Sequence, residues 1–170
     1  MTSSDLQQLY QQIILDHAKA RHGFAAEPFE ALAEVPAAPG GSRIAESHQV
    51  NTSCGDEVTV RVSVPSAAAD RIEQLAWRGE GCSISMASAS VLSDAVLDLP
   101  ADEARALLGA FRDMLRSRGA VEPDEEVMGD AAAFAGVSRY PARVKCAMLP
   151  WVAFEEALRH LEARSQLEAG

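Results

Sequence analysis

A chain of 170 residues, 48% hydrophobic and 24% charged, has the length and make-up of one folded domain with a core of its own, spanning residues 1–170. Its formal net charge of −10 argues against the basic face by which nucleic-acid binders hold phosphates, and suits a positively charged protein partner instead. No run approaches the roughly 18 apolar residues of a membrane helix, and Met1–His17 lacks the apolar centre of a secretory signal, so the expected setting is cytoplasmic.

Along the chain, Leu6, Leu9, Tyr10, Ile13, Ile14 and His17 recur at helical spacing and predict an amphipathic helix over residues 4–20, opened by a Ser4/Gln7 capping pair. The stretch from Ala25 to Ser42 carries Pro28, Pro36, Pro39, Gly40 and Gly41 and reads as an irregular loop. A weaker strand falls within Ile44–Val50. Val58, Val60, Val62 and Val64 then alternate with Glu57, Thr59, Arg61 and Ser63, the clearest strand signal present. After a turn over Pro65–Ala69, residues 71–78 form a third strand with Leu75 and Trp77 on one face. Three short consecutive strands predict an antiparallel meander with one face open to helices.

The pattern becomes helical from Ser83 to Leu97, where Ser85, Ala87, Ser88, Ala89 and Ser90 allow close packing. Another helix opens at Pro100 with Asp102 and Glu103 and closes at Arg116, Arg118 and Gly119. Residues 120–141 show no clear period. A last helix is expected from about Ala147, with Trp151, Phe154, Leu158 and Leu161 on one stripe and Pro150 in its first turn. The fold class is α+β, a small three-stranded antiparallel sheet covered by helices.

Three cysteines cannot all pair, and a reducing compartment turns attention to metal binding or catalysis. Each falls at an expected junction: Cys54, with Asp56, in the turn before the valine strand, Cys82 at the opening of a helix, and Cys146 at the predicted start of the last one. A lone buried cysteine is commonly a small hydrophobe. Three at element ends, joined by a carboxylate, make instead a complete tetrahedral donor set for zinc, with iron–sulfur ligation also open. Lys145 and Arg143 stand ready to offset the excess negative charge. His17 reads as a packed histidine on an apolar stripe, and His22, His48 and His160 have no ligand-like spacing. Gly79-Glu80-Gly81 lacks the Lys-Ser/Thr ending of a phosphate loop, and Ser83, Ser85, Ser88 and Ser90 read as packing residues.

Leu9-Tyr10 with Ile14-Leu15-Asp16-His17, then Cys54-Gly55-Asp56, the run from Gly79 to Ser90, and Arg143-Val144-Lys145-Cys146 closely resemble the U-type iron–sulfur cluster assembly family, over about residues 6–160. Within it the chain looks like the zinc-dependent sulfurtransferase (SufU) branch. Lys145 stands where scaffold (IscU) members carry His, and residues 120–141 look like that branch's extra segment. The resemblance implies zinc on Cys54, Asp56, Cys82 and Cys146 and a persulfide received on Cys54 from a PLP-dependent cysteine desulfurase of the SufS type. It also implies a functional role for Arg143 and sulfur passed on to downstream iron–sulfur assembly proteins. Two alternatives stand beside it: a scaffold holding a transient [2Fe–2S] cluster on the same ligands, and a zinc module that only supports the fold. The loop from Ala25 to Ser42 is longer and richer in Pro and Ala than the family leads one to expect.

Overall fold

The computed structural model describes residues 3–31, 42–65 and 71–169. Helix α1 (Ser3–Ala20) leads into a meander of β1 (Ser42–Asn51), β2 (Asp56–Pro65) and β3 (Gln74–Glu80), paired antiparallel in the order β1-β2-β3. Four helices follow: α2 (Ser83–Val96), α3 (Ala101–Arg116), the single turn α4 (Glu125–Met128) and the long α5 (Pro141–Ala169), with a 3₁₀ helix over Gly129–Arg139 between the last two. The α+β class and the meander are as expected from the sequence. No helix among the described residues is long and apolar enough to cross a membrane.

The valine alternation works as read. Val58, Val60, Val62 and Val64 are buried, while β1 and β3 flank them in unbroken register from Ser42↔Pro65 to Asn51↔Asp56 and from Glu57↔Glu80 to Ser63↔Gln74. Strands β1 and β2 pack on α5, and α2 fits between α1 and α5, its small residues Ala87, Ala89, Ser85, Ser88 and Ser90 fully buried. Each such residue removes bulk where helices cross, so the backbones come close. Trp151 lies stacked on Phe111, ring centroids 4.3 Å apart, at the heart of the helical layer.

Several boundaries differ from the sequence reading. Helix α1 already includes Ser3, so Ser4 is inside it rather than capping it. The third strand starts at Gln74, because Arg71 pairs with Pro100 instead. Within the expected loop, Ala25 continues a short pairing beside β3: Ala25 N–H donates to the Trp77 carbonyl at 2.9 Å, and Trp77 N–H to that of Gly23 at 3.0 Å. The rest of that loop from residue 32 to 41, and residues 66–70 of the expected turn, lie outside the described residues. Residues 125–139 are helical although no 3.6-residue period marks them. Met128, Ala131, Phe134 and Val137 are all buried at intervals of three, the period of a 3₁₀ helix.

The largest difference concerns α5. It begins at Pro141, six residues before the expected start, with proline in the first helical position and Tyr140 extended before it. Pro150 therefore lies well inside the helix, not in its first turn. Having no N–H, it leaves the Cys146 carbonyl without its intrahelical donor. Helix α2 sets its hydroxyls against this part of α5. The Ser85 hydroxyl lies 3.2 Å from the Cys146 carbonyl, Ser88 donates to the Ala147 carbonyl at 2.5 Å, and Trp151 Nε1–H donates to Ser88 Oγ at 3.0 Å. The serines of α2 thus do more than pack: they accommodate a proline inside the neighbouring helix.

Candidate metal centre

The β1–β2 connection is a four-residue turn closed by the Asn51↔Asp56 pair. Asn51 builds it from within. Its Oδ1 accepts the Ser53 N–H at 3.1 Å and its carbonyl accepts the Gly55 N–H at 2.8 Å. Gly55 has φ +77°, a left-handed conformation that a side chain would strain. This turn presents Cys54 on the surface while turning Asp56, the first residue of β2, inward.

Asp56 is 5% exposed and both of its oxygens are engaged. Oδ1 accepts the backbone N–H of Cys82 at 3.2 Å and Oδ2 accepts the Ser85 hydroxyl at 2.6 Å. Burial alone would push this carboxyl up, but hydrogen bonds from Ser85, Cys82 and Cys54 together hold it below the usual carboxylate range. Gly81 makes the approach sterically feasible, since a Cβ there would stand 2.7 Å from the Asp56 carboxyl carbon. The glycines before Cys82, which lack the ending of a phosphate loop, are clearance instead: Gly81 lets the chain pass over Asp56, and Gly79 lies against the β2 backbone at Glu57.

Cys82 is the N-cap residue of α2, exposed, with its Sγ 3.7 Å from Ser85 Oγ. Cys146 is not at a helix start as expected. It lies in the second turn of α5, because Pro141 opens that helix earlier, and it is buried. Its Sγ is 3.8 Å from Cys54 Sγ and 3.9 Å from Asn51 Nδ2. Donor atoms of Cys54, Asp56 and Cys146 all lie within 4.8 Å of one another. Cys82 stands beside this group, close enough to hydrogen-bond Asp56 and to influence the Cys146 thiol. Arg143 and Lys145 are exposed, and the Arg143 guanidinium carbon sits 5.0 Å from the centre of the exposed Tyr140 ring. Asn51 and Ser85 are the participants the sequence reading missed. Asn51 at the head of a Cys-Gly turn, and a serine one helical turn after Cys82, were the available signals.

The donor set fits a thiophilic cation. Burial first, then the neighbouring Cys82 and Cys54 thiols, push the Cys146 thiol above its ordinary range, so ionising it calls for positive charge among the sulfurs. Zinc–sulfur bonds of about 2.3 Å in a tetrahedron set sulfurs about 3.8 Å apart, which is the Cys54–Cys146 separation of 3.8 Å. Calcium and magnesium, which prefer oxygen, are poorly matched.

Comparison with known proteins agrees on this architecture. Residues 9–147 match the NifU-like N terminal domain family. The chain is 34% identical over 160 residues to the iron-sulfur cluster assembly scaffold protein IscU of Streptococcus pyogenes serotype M1, covering 94% of this chain and 88% of that one. It is 32% identical over 157 residues to the zinc-dependent sulfurtransferase SufU of Bacillus subtilis, covering 92% and 93%. Among solved structures it is similar to a putative scaffold protein for the SUF system from Fervidobacterium islandicum, with a TM-score of 0.67, 30% identity and coverage of 89% and 98%. A NifU-like N-terminal protein from Brucella abortus superposes with a TM-score of 0.69 at 26% identity, covering 92% and 96%. The chain belongs to the NifU-like N-terminal domain family of iron–sulfur cluster assembly proteins.

Proposed function

We propose that this member of the family is a zinc-dependent sulfur acceptor, holding zinc through Cys54, Asp56, Cys82 and Cys146 and receiving sulfur on Cys54 from a PLP-dependent cysteine desulfurase of the SufS type. The observation that carries this reading is the gathering of Cys54, Asp56 and Cys146, in which Cys54 alone is both exposed and mounted on a turn. Lys145 before Cys146, where the scaffold branch carries His, and the helical segment over Glu125–Arg139 support the sulfurtransferase branch. The name of the Bacillus subtilis relative supports it too, while that of the streptococcal one favours a second reading, a scaffold for a transient [2Fe–2S] cluster on the same donors.

Zinc, when bound, supplies the positive charge that keeps these thiols ionised at neutral pH. The chain's own residues do the rest. Ser85 and the Cys82 N–H hold Asp56 in one orientation, and α5 holds Cys146. Cys54 can move with its turn without unwinding a helix. Its thiolate attacks the outer sulfur of the desulfurase persulfide. The sulfur–sulfur bond there breaks, the desulfurase cysteine leaves as a thiolate, and a new persulfide stands on Cys54. The PLP chemistry that makes the sulfur stays on the partner. Arg143 has no lone pair to give a metal, so its role is assigned to stimulation of the desulfurase beside the centre and not to holding zinc.

Incubation with the cognate desulfurase and cysteine, followed by mass spectrometry of each thiol, tests the assignment. Persulfide is expected on Cys54, and Arg143→Ala is expected to keep zinc while losing stimulation of the desulfurase. Persulfide found mainly on Cys82 or Cys146 would overturn it, as would an iron–sulfur chromophore in place of zinc in protein purified without air.

A further inference from the structure

Away from the cysteines, α1 and α2 bring together a second set of donors. Helix α1 ends where Arg21 takes φ 49°, and this turn swings His22 back toward α2. The His22 N–H donates to Ser90 Oγ at 2.9 Å and its carbonyl accepts Trp77 Nε1–H at 2.7 Å, so its backbone is fixed from both sides. Asp94 stands one helical turn after Ser90, on the same face of α2. Its Oδ2 lies 2.6 Å from His22 Nδ1. His17, buried in the last turn of α1, completes the group, and donor atoms of His17, His22 and Asp94 all lie within 4.8 Å of one another.

The way His17 is held matters most. Its Nε2 is 2.8 Å from Asp130 Oδ2, at the start of the 3₁₀ helix, while its Nδ1 is 2.8 Å from Ser90 Oγ on the side where His22 stands. A carboxylate on one ring nitrogen fixes the proton there and makes the other nitrogen a stronger base, the arrangement that supports metal-bound imidazoles; here that nitrogen accepts the Ser90 hydroxyl, a bond an incoming ion would replace. The His22 and Asp94 side chains are each about half exposed, at 50% and 52%, and their pairing at 2.6 Å is open to an ion entering from solvent between them. Residues five apart across a helix end escape any search for i, i+4 ligand pairs, which is why His22 shows no ligand-like spacing in the sequence.

We propose that His17, His22 and Asp94 form a second cation site, independent of the cysteine centre, for a borderline divalent first-row ion such as zinc, iron(II) or cobalt(II). Two imidazoles and one carboxylate, without sulfur, select that class over magnesium and calcium and leave coordination positions for water. The site is separate from the thiols: Ser90 and Asp94 follow Cys82 along α2 by about 12 and 18 Å at 1.5 Å per residue.

Cobalt(II) distinguishes the two centres, because thiolate ligation gives intense sulfur-to-metal charge-transfer absorption and a nitrogen–oxygen site gives only weak bands. The full-length protein carrying a single equivalent of zinc, enough for the cysteine centre alone, is dialysed against cobalt(II), and cobalt, zinc and the spectrum are measured together. The expected result is one equivalent of cobalt beyond the zinc, without charge-transfer bands, and a raised melting temperature as the ion ties α1 to α2. His22→Ala and Asp94→Ala, both at exposed side chains, should each abolish that uptake while zinc content and fold are unchanged. No added cobalt in the parent, or full uptake retained in both variants, overturns the proposal. Failure of the cysteine centre would register separately, as missing zinc or as cobalt with charge-transfer bands.

Discussion

Cys54 and Cys146 place their sulfurs 3.8 Å apart yet come from opposite kinds of structure. Cys54 hangs in an exposed four-residue turn beside a left-handed glycine, its thiol 4.0 Å from the Asn51 carbonyl. Cys146 is buried in α5, and its own carbonyl lies against Ser85 of α2 because Pro150 cannot bond it. Moving Cys54 disturbs a turn, whereas moving Cys146 disturbs two packed helices and a hydrogen-bond relay. The centre thus has a movable side, built from the β1–β2 turn, and a fixed side, built from α2 and α5. The proposed role of sulfur acceptor would use that division, one thiol reaching a partner while the others keep the site assembled.

The strongest way to break the comparison is to replace the two cysteines separately. Cys146→Ser is expected to lose most bound zinc and to lower the melting temperature by more than about 5 °C, equivalent to about 2 kcal/mol for a chain of this length. Cys54→Ser should fall by less than half as much and keep its fold, yet accept no persulfide. Zinc analysis and thermal melts on the two variants decide the matter. Equal loss of stability in both would mean that the turn is as integral to the fold as the helix.

A smaller effect is expected at Asp56, the hinge between the two sides. Asp56→Ala removes the one oxygen donor and leaves the Ser85 hydroxyl with its longer contacts, to the Cys146 carbonyl at 3.2 Å and to Cys82 Sγ at 3.7 Å. Zinc should pass to a competing chelator faster than from the parent, with the fold intact. Ser85→Ala should accelerate exchange less, because the Cys82 N–H still orients the carboxylate at 3.2 Å. Chelator resistance equal to the parent's in Asp56→Ala would remove Asp56 from the donor set.

The movable side was the more legible of the two in the sequence. Valine alternation marks β2, and Cys-Gly-Asp before it announces a turn with a thiol and a carboxylate. The fixed side was read in outline only. Pro150 looked like a helix-opening residue because a proline inside a helix is costly, and nothing local reveals that Ser85 and Ser88 occupy the carbonyls of Cys146 and Ala147. Residues 129–139 carried a period of three that a search for 3.6 passes over. Asn51 and Ser85 lie three residues from Cys54 and Cys82, but their side-chain bonds to Cys146 and Asp56 reach across 95 and 29 residues, and that part of their role leaves no spacing to detect.

The smallest prediction separates stability from the metal centre altogether, and so sharpens what a loss of stability means in the cysteine variants. Tyr10 of α1 donates its hydroxyl to Glu125 Oε1 of α4 at 2.5 Å. Burial first, then the hydrogen bond and negative charge of Glu125, raise its pKa from the model-compound 10.0 to about 12. A phenol whose pKa is higher in the folded than in the unfolded chain stabilises the fold fully below the unfolded value, and that contribution is lost as pH rises through the folded one. The window therefore runs from about 10 to about 12. Tyr10→Phe removes the bond and should cost about 1 kcal/mol at pH 8, with zinc content and sulfur transfer unchanged. Thermal melts of parent and variant at pH 8 and pH 11 cancel every other group that titrates in that range. The gap between the two proteins should narrow at the higher pH. A gap of constant size would show that the Tyr10 hydroxyl ionises as easily in the folded chain as in the unfolded one. A loss of zinc in Tyr10→Phe would show that stability and metal retention are coupled through the helical layer, and the division into movable and fixed sides would then have to extend to α1.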